Sequence, residues 1–176
     1  MMKGILYILL IVLITSCNAV RVNYDYDKAT DFSSYTTYNY YPDLNTGLSQ
    51  LDTKRLLKAV DSDMQLKGIQ LSEEPDFFIN IHSSSFRGPN NSSVGVGVGG
   101  GGRNAGGGVS IGIPVGQPNL SREIVFDLVD SQKDALFWQG VSESSYRDNA
   151  SPSVREDMLQ RIVAKVFSKY PPSIKK

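Results

Sequence analysis

The chain of 176 residues has little of what most enzymes and nucleic-acid-binding proteins use. It has one cysteine and one histidine, and its 18 basic residues balance its 18 acidic ones. A balanced charge provides no field that would attract nucleic acid or acidic lipid, so we expect no nucleic-acid partner. His82 has no second histidine or free cysteine with which to share a metal ion. The sequence therefore predicts no metal, no cofactor and no catalytic residues, which argues against an enzyme.

The chain also lacks a long apolar run. The longest one, Gly4 to Ile14, has eleven residues, whereas a membrane-spanning helix needs about 20. Because the run follows Lys3 and precedes small residues, residues 1–16 are predicted to be a secretory signal peptide. The alternative is an ordinary secreted protein with an unmodified Cys17.

The residues at the end of this run, Ile14-Thr15-Ser16-Cys17, resemble the lipobox of bacterial lipoproteins. The resemblance implies that Cys17 is acylated (diacylglycerol on sulfur, a palmitate-type acyl group on the amine) and becomes the first residue of the mature chain. Two or more fatty chains anchor a protein stably in a membrane. Residues 17–21 would form a lipidated tether, whose last four residues reach about 13 to 14 Å. Asn18, where an aspartate would mark inner-membrane retention, favours an outer-membrane location facing the periplasm.

Glycines dominate the middle of the chain, where "VGVGVGGGG" twice fits the G-x-G-x-x-G spacing, starting from Gly95 and from Gly97. In a dinucleotide site this loop must follow a strand and open a helix whose N-terminus holds the pyrophosphate. The residues that follow have no helical period and include a proline, so we expect no nucleotide.

A β-ribbon explains the same segment better. When the segment is folded about its middle, four pairs face each other, namely Val94 with Ile113, Gly95 with Gly112, Val96 with Ile111, and Val98 with Val109. The alternative is a flexible low-complexity insertion at residues 88–118. Since bare glycines let another backbone approach closely, Gly95, Gly97 and Gly112 are predicted to contact a partner.

Hydrophobic periodicity predicts two helices and several strands. Ser49 caps a helix over residues 49–67, Ser151 caps one that begins at Pro152, and Gly68 ends the first. The polar face of the first helix is interpreted as solvated, with Lys54, Arg55, Lys58, Asp61 and Asp63. Residues 122–130 and 135–146 form a predicted hairpin in which Leu136, Trp138 and Gly140 share one face, with Trp138 in the core. We expect an α+β fold, mainly an antiparallel sheet with both helices packed on one face.

Six of the nine tyrosines lie between Tyr24 and Tyr41. Tyrosine rings in strands usually pack against a core, and we favour that interpretation. The alternative is a glycan- or peptidoglycan-binding module, in which Tyr38 and Tyr40 contact the partner.

The order of these segments identifies a family. "YDYDKATDFSSYTTYNYYP", "LLKAVDSDMQLKGIQ", "PDFFINIH", "FDLVDSQKDALFWQGV" and "KYPP" follow one another as in the bacterial envelope lipoproteins of domain-of-unknown-function family 4136 (DUF4136). The resemblance covers residues 20–172 and departs from the family at the long glycine-rich insertion. It implies an exported α+β domain, often lipid-anchored, without established catalytic residues. We expect one domain over residues 22–172 with a structural or adaptor role in the cell envelope.

Overall fold

The fold is a six-stranded sheet with two helices, and a separate two-stranded ribbon. A computed structural model describes residues 20–87, 93–96, 111–114 and 120–173. The strands are β1 (Arg21–Tyr26), β2 (Thr37–Tyr40), β3 (Gln70–Leu71), β4 (Phe77–Arg87), β5 (Ser93–Val96), β6 (Ile111–Pro114), β7 (Leu120–Asp130) and β8 (Ala135–Tyr146). The helices are α1 (Gln50–Leu66) and α2 (Pro152–Phe167), and a short 3-10 helix (Phe32–Ser34) follows β1.

The main sheet has the strand order β1-β8-β7-β4-β2-β3. The pairs β1–β8, β8–β7 and β7–β4 are antiparallel, while β2 runs parallel to both β4 and β3. The predicted hairpin is present as β7 and β8. The α+β prediction with a mainly antiparallel sheet is confirmed.

Both predicted helix caps are present. The Ser49 hydroxyl accepts a hydrogen bond from the Asp52 backbone N–H, and that of Ser151 accepts one from Val154. Pro152 stands at the start of α2, where its missing N–H costs nothing. Gly68 has φ = 77°, a conformation that favours glycine, and it ends α1.

The core lies between the two helices and one face of the sheet. On β4, Phe77, Ile79 and Ile81 are fully buried, as the alternating pattern predicts. The helices contribute the other layer, with Leu56, Val60 and Met64 from α1 and Leu159, Ile162 and Val166 from α2. Val154 is an exception among the apolar residues of α2, because it lies in the first turn and lines the mouth of a cavity.

A β-bulge changes the predicted faces of β8. Trp138 pairs with Leu128 and Leu136 pairs with Val129, so Phe137 is an extra residue. Phe137 and Trp138 are both buried, whereas Leu136 is 51% exposed. The prediction that Leu136 and Trp138 share a face is therefore wrong, because a bulge interrupts strand alternation. Trp138 is in the core as predicted.

The glycine-rich segment contains a ribbon of β5 and β6. Three of the four predicted pairs are present, Val94 with Ile113, Gly95 with Gly112, and Val96 with Ile111. The fourth, Val98 with Val109, lies outside the described residues. The ribbon forms a sheet of its own. Gly97 lies outside the described residues.

Candidate functional site

The proposed lipid-attachment residue, Cys17, lies outside the described residues, and the described chain starts three residues later. Val20 is buried against the core, and its carbonyl oxygen accepts a hydrogen bond from the Lys165 Nζ of α2. β1 begins at the next residue and pairs with β8. The fold is thus fixed from its first described residue onward.

Tyr38 and Tyr40 share one acceptor on α1. Each hydroxyl donates a 2.7 Å hydrogen bond to Asp61 Oδ1. Burial raises the pKa of both hydroxyls, and the bonds to Asp61 raise it further, so both remain neutral donors. Tyr38 is only 2% exposed. The prediction that it contacts a partner is wrong because its ring lies in the core, whereas for the partly buried Tyr40 that contact stays a prediction.

Asp61 also corrects the interpretation of the polar face of α1. That face was expected to be solvated, but Asp61 faces β2 and binds both tyrosines. Arg55 is likewise engaged, since its guanidinium donates to Asp52 Oδ1 at 2.7 Å. The mixture of positive and negative charges along the helix does not indicate these contacts, because Tyr38 and Tyr40 are far from Asp61 in sequence.

The sheet face away from the helices carries a line of polar side chains. Asn80 of β4 is directly opposite Asp127 of β7, Asp127 is opposite Gln139 of β8, and Gln139 is opposite Asp25 of β1. We call these four residues the polar row. With neighbouring strands 4.7–4.9 Å apart, the row spans about 14–15 Å.

A second line of side chains, the apolar row, runs beside the first. It consists of Phe78, Val129 and Leu136, which are paired across β4, β7 and β8. The ring of Tyr41, in the loop after β2, lies 5.2 Å from the ring of Phe78. The sheet face therefore offers hydrogen-bonding groups and apolar surface side by side.

Together these residues form a concave site that we call the trough. Its volume is about 670 Å³. The loop that contains Tyr41, Asp43 and Asn45 forms one wall. The floor comes from His82, from three members of the polar row (Asn80, Asp127 and Gln139) and from two of the apolar row (Val129 and Leu136). Among the described lining residues there is no lysine or arginine.

Hydrogen bonds organise only part of the trough. Gln139 Nε2 donates to Asp127 Oδ1 at 2.7 Å. His82 Nδ1 is 3.9 Å from Asp127 Oδ2, too far for a hydrogen bond. Within the described part of the chain the Asn80 side-chain amide has no hydrogen-bond partner. Burial and the nearby carboxylates raise the pKa of Tyr41, so its hydroxyl is neutral and able to donate. The floor thus has hydrogen-bonding capacity that the fold itself leaves unused.

A second cavity, of about 260 Å³, lies between α2, the loop before it, and adjoining residues of β7 and β8. Its buried carboxylate, Asp52, accepts hydrogen bonds from Arg55 at 2.7 Å and from Arg155 at 2.9 Å. Burial raises the pKa of Asp52, but these bonds outweigh it and lower the pKa below its usual value. Arg122 lies over the Tyr146 ring, 3.4 Å from its centroid. Since Asp52 joins α1 to α2, this cluster is part of the scaffold.

Residues 20–87 and 120–173, together with the ribbon strands, contain no group of three or more histidine, cysteine, aspartate or glutamate residues that could hold a metal ion. In the same part of the chain, no helix has the length and apolar character needed to cross a membrane.

Comparison with protein families gives a clear result. The family described as "Domain of unknown function (DUF4136)" matches residues 22–172. The chain belongs to this family. The resemblance inferred from the order of the segments is confirmed. A search of curated proteins finds no match.

Solved structures show the same fold in this DUF4136 member and in distant proteins. One is a PDZ domain protein from Parabacteroides distasonis, 12% identical with a TM-score of 0.57. The match covers 89% of this chain but only 37% of that protein, so the chain spans little more than a third of its length. The PelC dodecamer from Paraburkholderia phytofirmans is 8% identical with a TM-score of 0.50, over 85% of this chain and 96% of that one. At these identities the likeness concerns the fold alone.

Proposed function

We propose that this DUF4136 member is a lipid-anchored protein of the bacterial cell envelope, attached to the outer membrane through Cys17, with an adaptor or structural role. The observation that carries the proposal is the sequence Ile14-Thr15-Ser16-Cys17, directly after an apolar run of signal-peptide length. The single cysteine of the chain stands at the position that the lipobox requires.

The start of the fold supports this arrangement. From Cys17 to the buried Val20 an extended chain spans about 10–11 Å. Lys165 holds the Val20 carbonyl, so little slack remains between an acylated Cys17 and the sheet. A domain on such a tether would stand against the membrane surface, with β1 at the edge of the sheet nearest to the anchor.

The surroundings of the only histidine favour an adaptor over a hydrolase. His82 makes no hydrogen bond with Asp127, at 3.9 Å. The next residue, Ser83, lies on the opposite face of β4, where its hydroxyl donates to the Thr46 carbonyl at 2.8 Å. Ser84 returns to the face of His82, but no hydrogen bond joins the two side chains in the described part of the chain. Neither serine is placed for activation by His82.

Mass spectrometry of the N-terminal peptide tests the anchor. In the wild-type protein from envelope fractions, we expect Cys17 as the first residue, carrying diacylglycerol and an amide-linked acyl chain. Cys17→Ala should remove the acylation and the stable membrane association. Ser16→Ala, which keeps a small residue before the cleavage site, is the matched control and should be acylated normally. An unacylated Cys17, or a leader still attached in a cytosolic pool, would disprove the anchor.

We propose further that the adaptor contacts its envelope partner through the glycine face of the ribbon. Gly95 and Gly112 are directly opposite each other on β5 and β6, and this position lacks side chains on both strands. A backbone of another protein can approach such a position closely. Gly97, outside the described residues, extends the same pattern in the sequence.

Site-specific photocrosslinking in intact cells tests the ribbon contact. A photoreactive residue at Gly95 and one at Gly112 should give an adduct of the same mass. The control position is Lys54, which is exposed on α1. The same adduct from Lys54, or no adduct from either glycine position, counts against the ribbon as the contact surface.

A further inference from the structure

We infer that the trough is a binding site for a neutral glycan chain that lies across the strands. The inference deepens the proposed adaptor role by naming what the domain holds, and it requires neither the lipid anchor nor the ribbon contact. The glycan alternative from the sequence involved Tyr38, which is buried. The site inferred here lies on the opposite face of the sheet. Nothing in the family description assigns a ligand to this face.

The polar row matches what a sugar hydroxyl needs. Hydroxyls both donate and accept hydrogen bonds. The carboxylates of Asp25 and Asp127 can only accept, whereas the amides of Asn80 and Gln139 do both. The Asn80 amide makes no hydrogen bond within the described part of the chain, so it can bind a ligand without breaking a bond of the fold.

The spacing of the row suits a polymer better than a single sugar. The four residues repeat at the distance between strands, about 4.7–4.9 Å. A pyranose ring has a similar length, so successive sugar units of an extended chain would meet successive members of the row. The trough is lined by residues of β4, β7 and β8, so it extends about 9–10 Å across the strands, the length of two sugar units.

The apolar row supplies the other half of a sugar site. A pyranose has a C–H face beside its hydroxyl edge, and such faces pack on apolar and aromatic side chains. Leu136 is half exposed, and the Tyr41 ring is held by Phe78 at the wall of the trough. A sugar can therefore place its hydroxyls on the polar row while its C–H face covers the apolar row.

Charge selects the class of glycan. Asp43 and Asp127 line the trough, Asp25 continues the polar row, and no described lining residue is a lysine or arginine. Carboxylates without cations repel an anionic polymer. The charge thus excludes uronic-acid polymers, and the amides of the polar row beside the apolar row lead us to assign the trough to a neutral glycan of plain or N-acetylated hexoses.

Isothermal titration of the full chain, purified in mild detergent, tests this inference. The probes are chitotetraose, which is a neutral tetramer of N-acetylglucosamine, its plain-hexose counterpart cellotetraose, and the anionic tetragalacturonate. We expect saturable binding of at least one neutral tetramer and none of tetragalacturonate. Asn80→Val and Gln139→Val, on different strands, should each raise the Kd about tenfold. Tyr41→Ala should weaken binding to a similar degree through loss of the wall.

Ser84→Val is the matched control. It lies on the same strand and the same face as Asn80 but outside the trough. It should leave the Kd unchanged, and thermal unfolding should show that all variants are folded.

Three results would overturn the inference. They are no binding of either neutral tetramer, equal binding of tetragalacturonate, and binding that survives the double change Asn80→Val with Gln139→Val. Acylation of Cys17 is measured separately, so its failure leaves the glycan result intact. Conversely, if the protein is acylated but binds none of the three probes, the anchor proposal stands and the glycan inference is disproved.

Discussion

The residues on the two faces of the main sheet have different roles, although both faces are formed by the same strands. On β4, Phe77, Ile79 and Ile81 meet the helices and are fully buried. The alternating residues Asn80 and His82 reach the open face and contribute to the trough. One face supplies the free energy of folding, while the other leaves hydrogen-bonding groups available. Substitutions on the first should change stability, and substitutions on the second should change binding.

The sharpest comparison uses two adjacent residues of β8. Trp138 is fully buried and stacks on Phe167, with ring centroids 5.7 Å apart. Trp138→Ala should lower the free energy of unfolding by about 3–5 kcal/mol, because it leaves a large cavity. Gln139→Val, on the open face, should cost about 1 kcal/mol or less, the loss of its hydrogen bond to Asp127. Urea unfolding followed by circular dichroism measures both, and similar losses would contradict the division between the faces.

A slightly smaller effect is expected where the two covering helices are joined. Asp52→Ala should cost about 3 kcal/mol, because it leaves the guanidinium groups of Arg55 and Arg155 without their buried partner. That figure is at the low end for a buried pair, since the Arg155 side chain is 24% exposed.

The control for Asp52 is the other ion pair between the helices. Lys58 Nζ is 3.8 Å from Glu156 Oε1, and both side chains are well exposed. Glu156→Gln should therefore cost no more than about 0.5–1 kcal/mol in the same urea titration. If Glu156→Gln cost as much as Asp52→Ala, burial would not explain why the Asp52 cluster contributes more to the free energy of unfolding.

The closeness of the helix layer to the sheet can be tested at Gly140. A Cβ atom there would lie 2.5 Å from Trp138 Cη2 and 2.6 Å from Val166 Cγ1. Gly140→Ala should cost about 1–3 kcal/mol through overpacking. Adding Val166→Ala frees space, so the double variant should lose less than the sum of the two single losses. If the two losses of stability were strictly additive in thermal unfolding, the contact with Val166 would not be the cause of the loss in Gly140→Ala.

The pH dependence of stability tests the contribution of Asp130, which lies at the end of β7. Burial raises its pKa, but hydrogen bonds from the Lys133 and Gln132 backbone N–H groups and the Tyr35 hydroxyl lower it to about 2, from 3.8. Because the folded pKa lies below the unfolded value, this stabilisation is complete above about pH 4 and is lost as the pH falls towards 2.

Asp130→Asn should therefore cost about 1 kcal/mol at pH 7. The difference from wild type should shrink between pH 4 and pH 2 when urea midpoints are measured across this range. A difference that stayed constant with pH would mean that the carboxylate charge of Asp130 does not contribute.

The sequence predicted well the features that depend on neighbours along the chain. The caps at Ser49 and Ser151 act within three residues, and the alternation on β4 needs only its own period. The role of Asp52 could not be predicted, because Arg155 is 103 residues away.

The trough could not be predicted either, because it also depends on contacts between residues far apart in sequence. Asn80, Asp127 and Gln139 come from three strands, and only the register aligns them. The exposure of Leu136 depends on a bulge that no pattern of alternation contains. Local rules thus predicted the elements, while the site arises from how the elements meet.

The smallest effect is expected outside both faces, in the glycine-rich segment. β5 pairs only with β6, and the described residues of the two strands contact no other element. Next to this segment, Arg87 and Leu120 are directly paired at the ends of β4 and β7. Replacing residues 88–118 by Asn-Gly would close these strands with a three-residue turn that includes Asn119. Stability should then change by about 0.5 kcal/mol or less, since surface changes away from packed features usually do little. A variant that no longer unfolds cooperatively in urea would show that the main sheet depends on the ribbon, whereas a variant as stable as the wild type would show that the ribbon is not needed for folding.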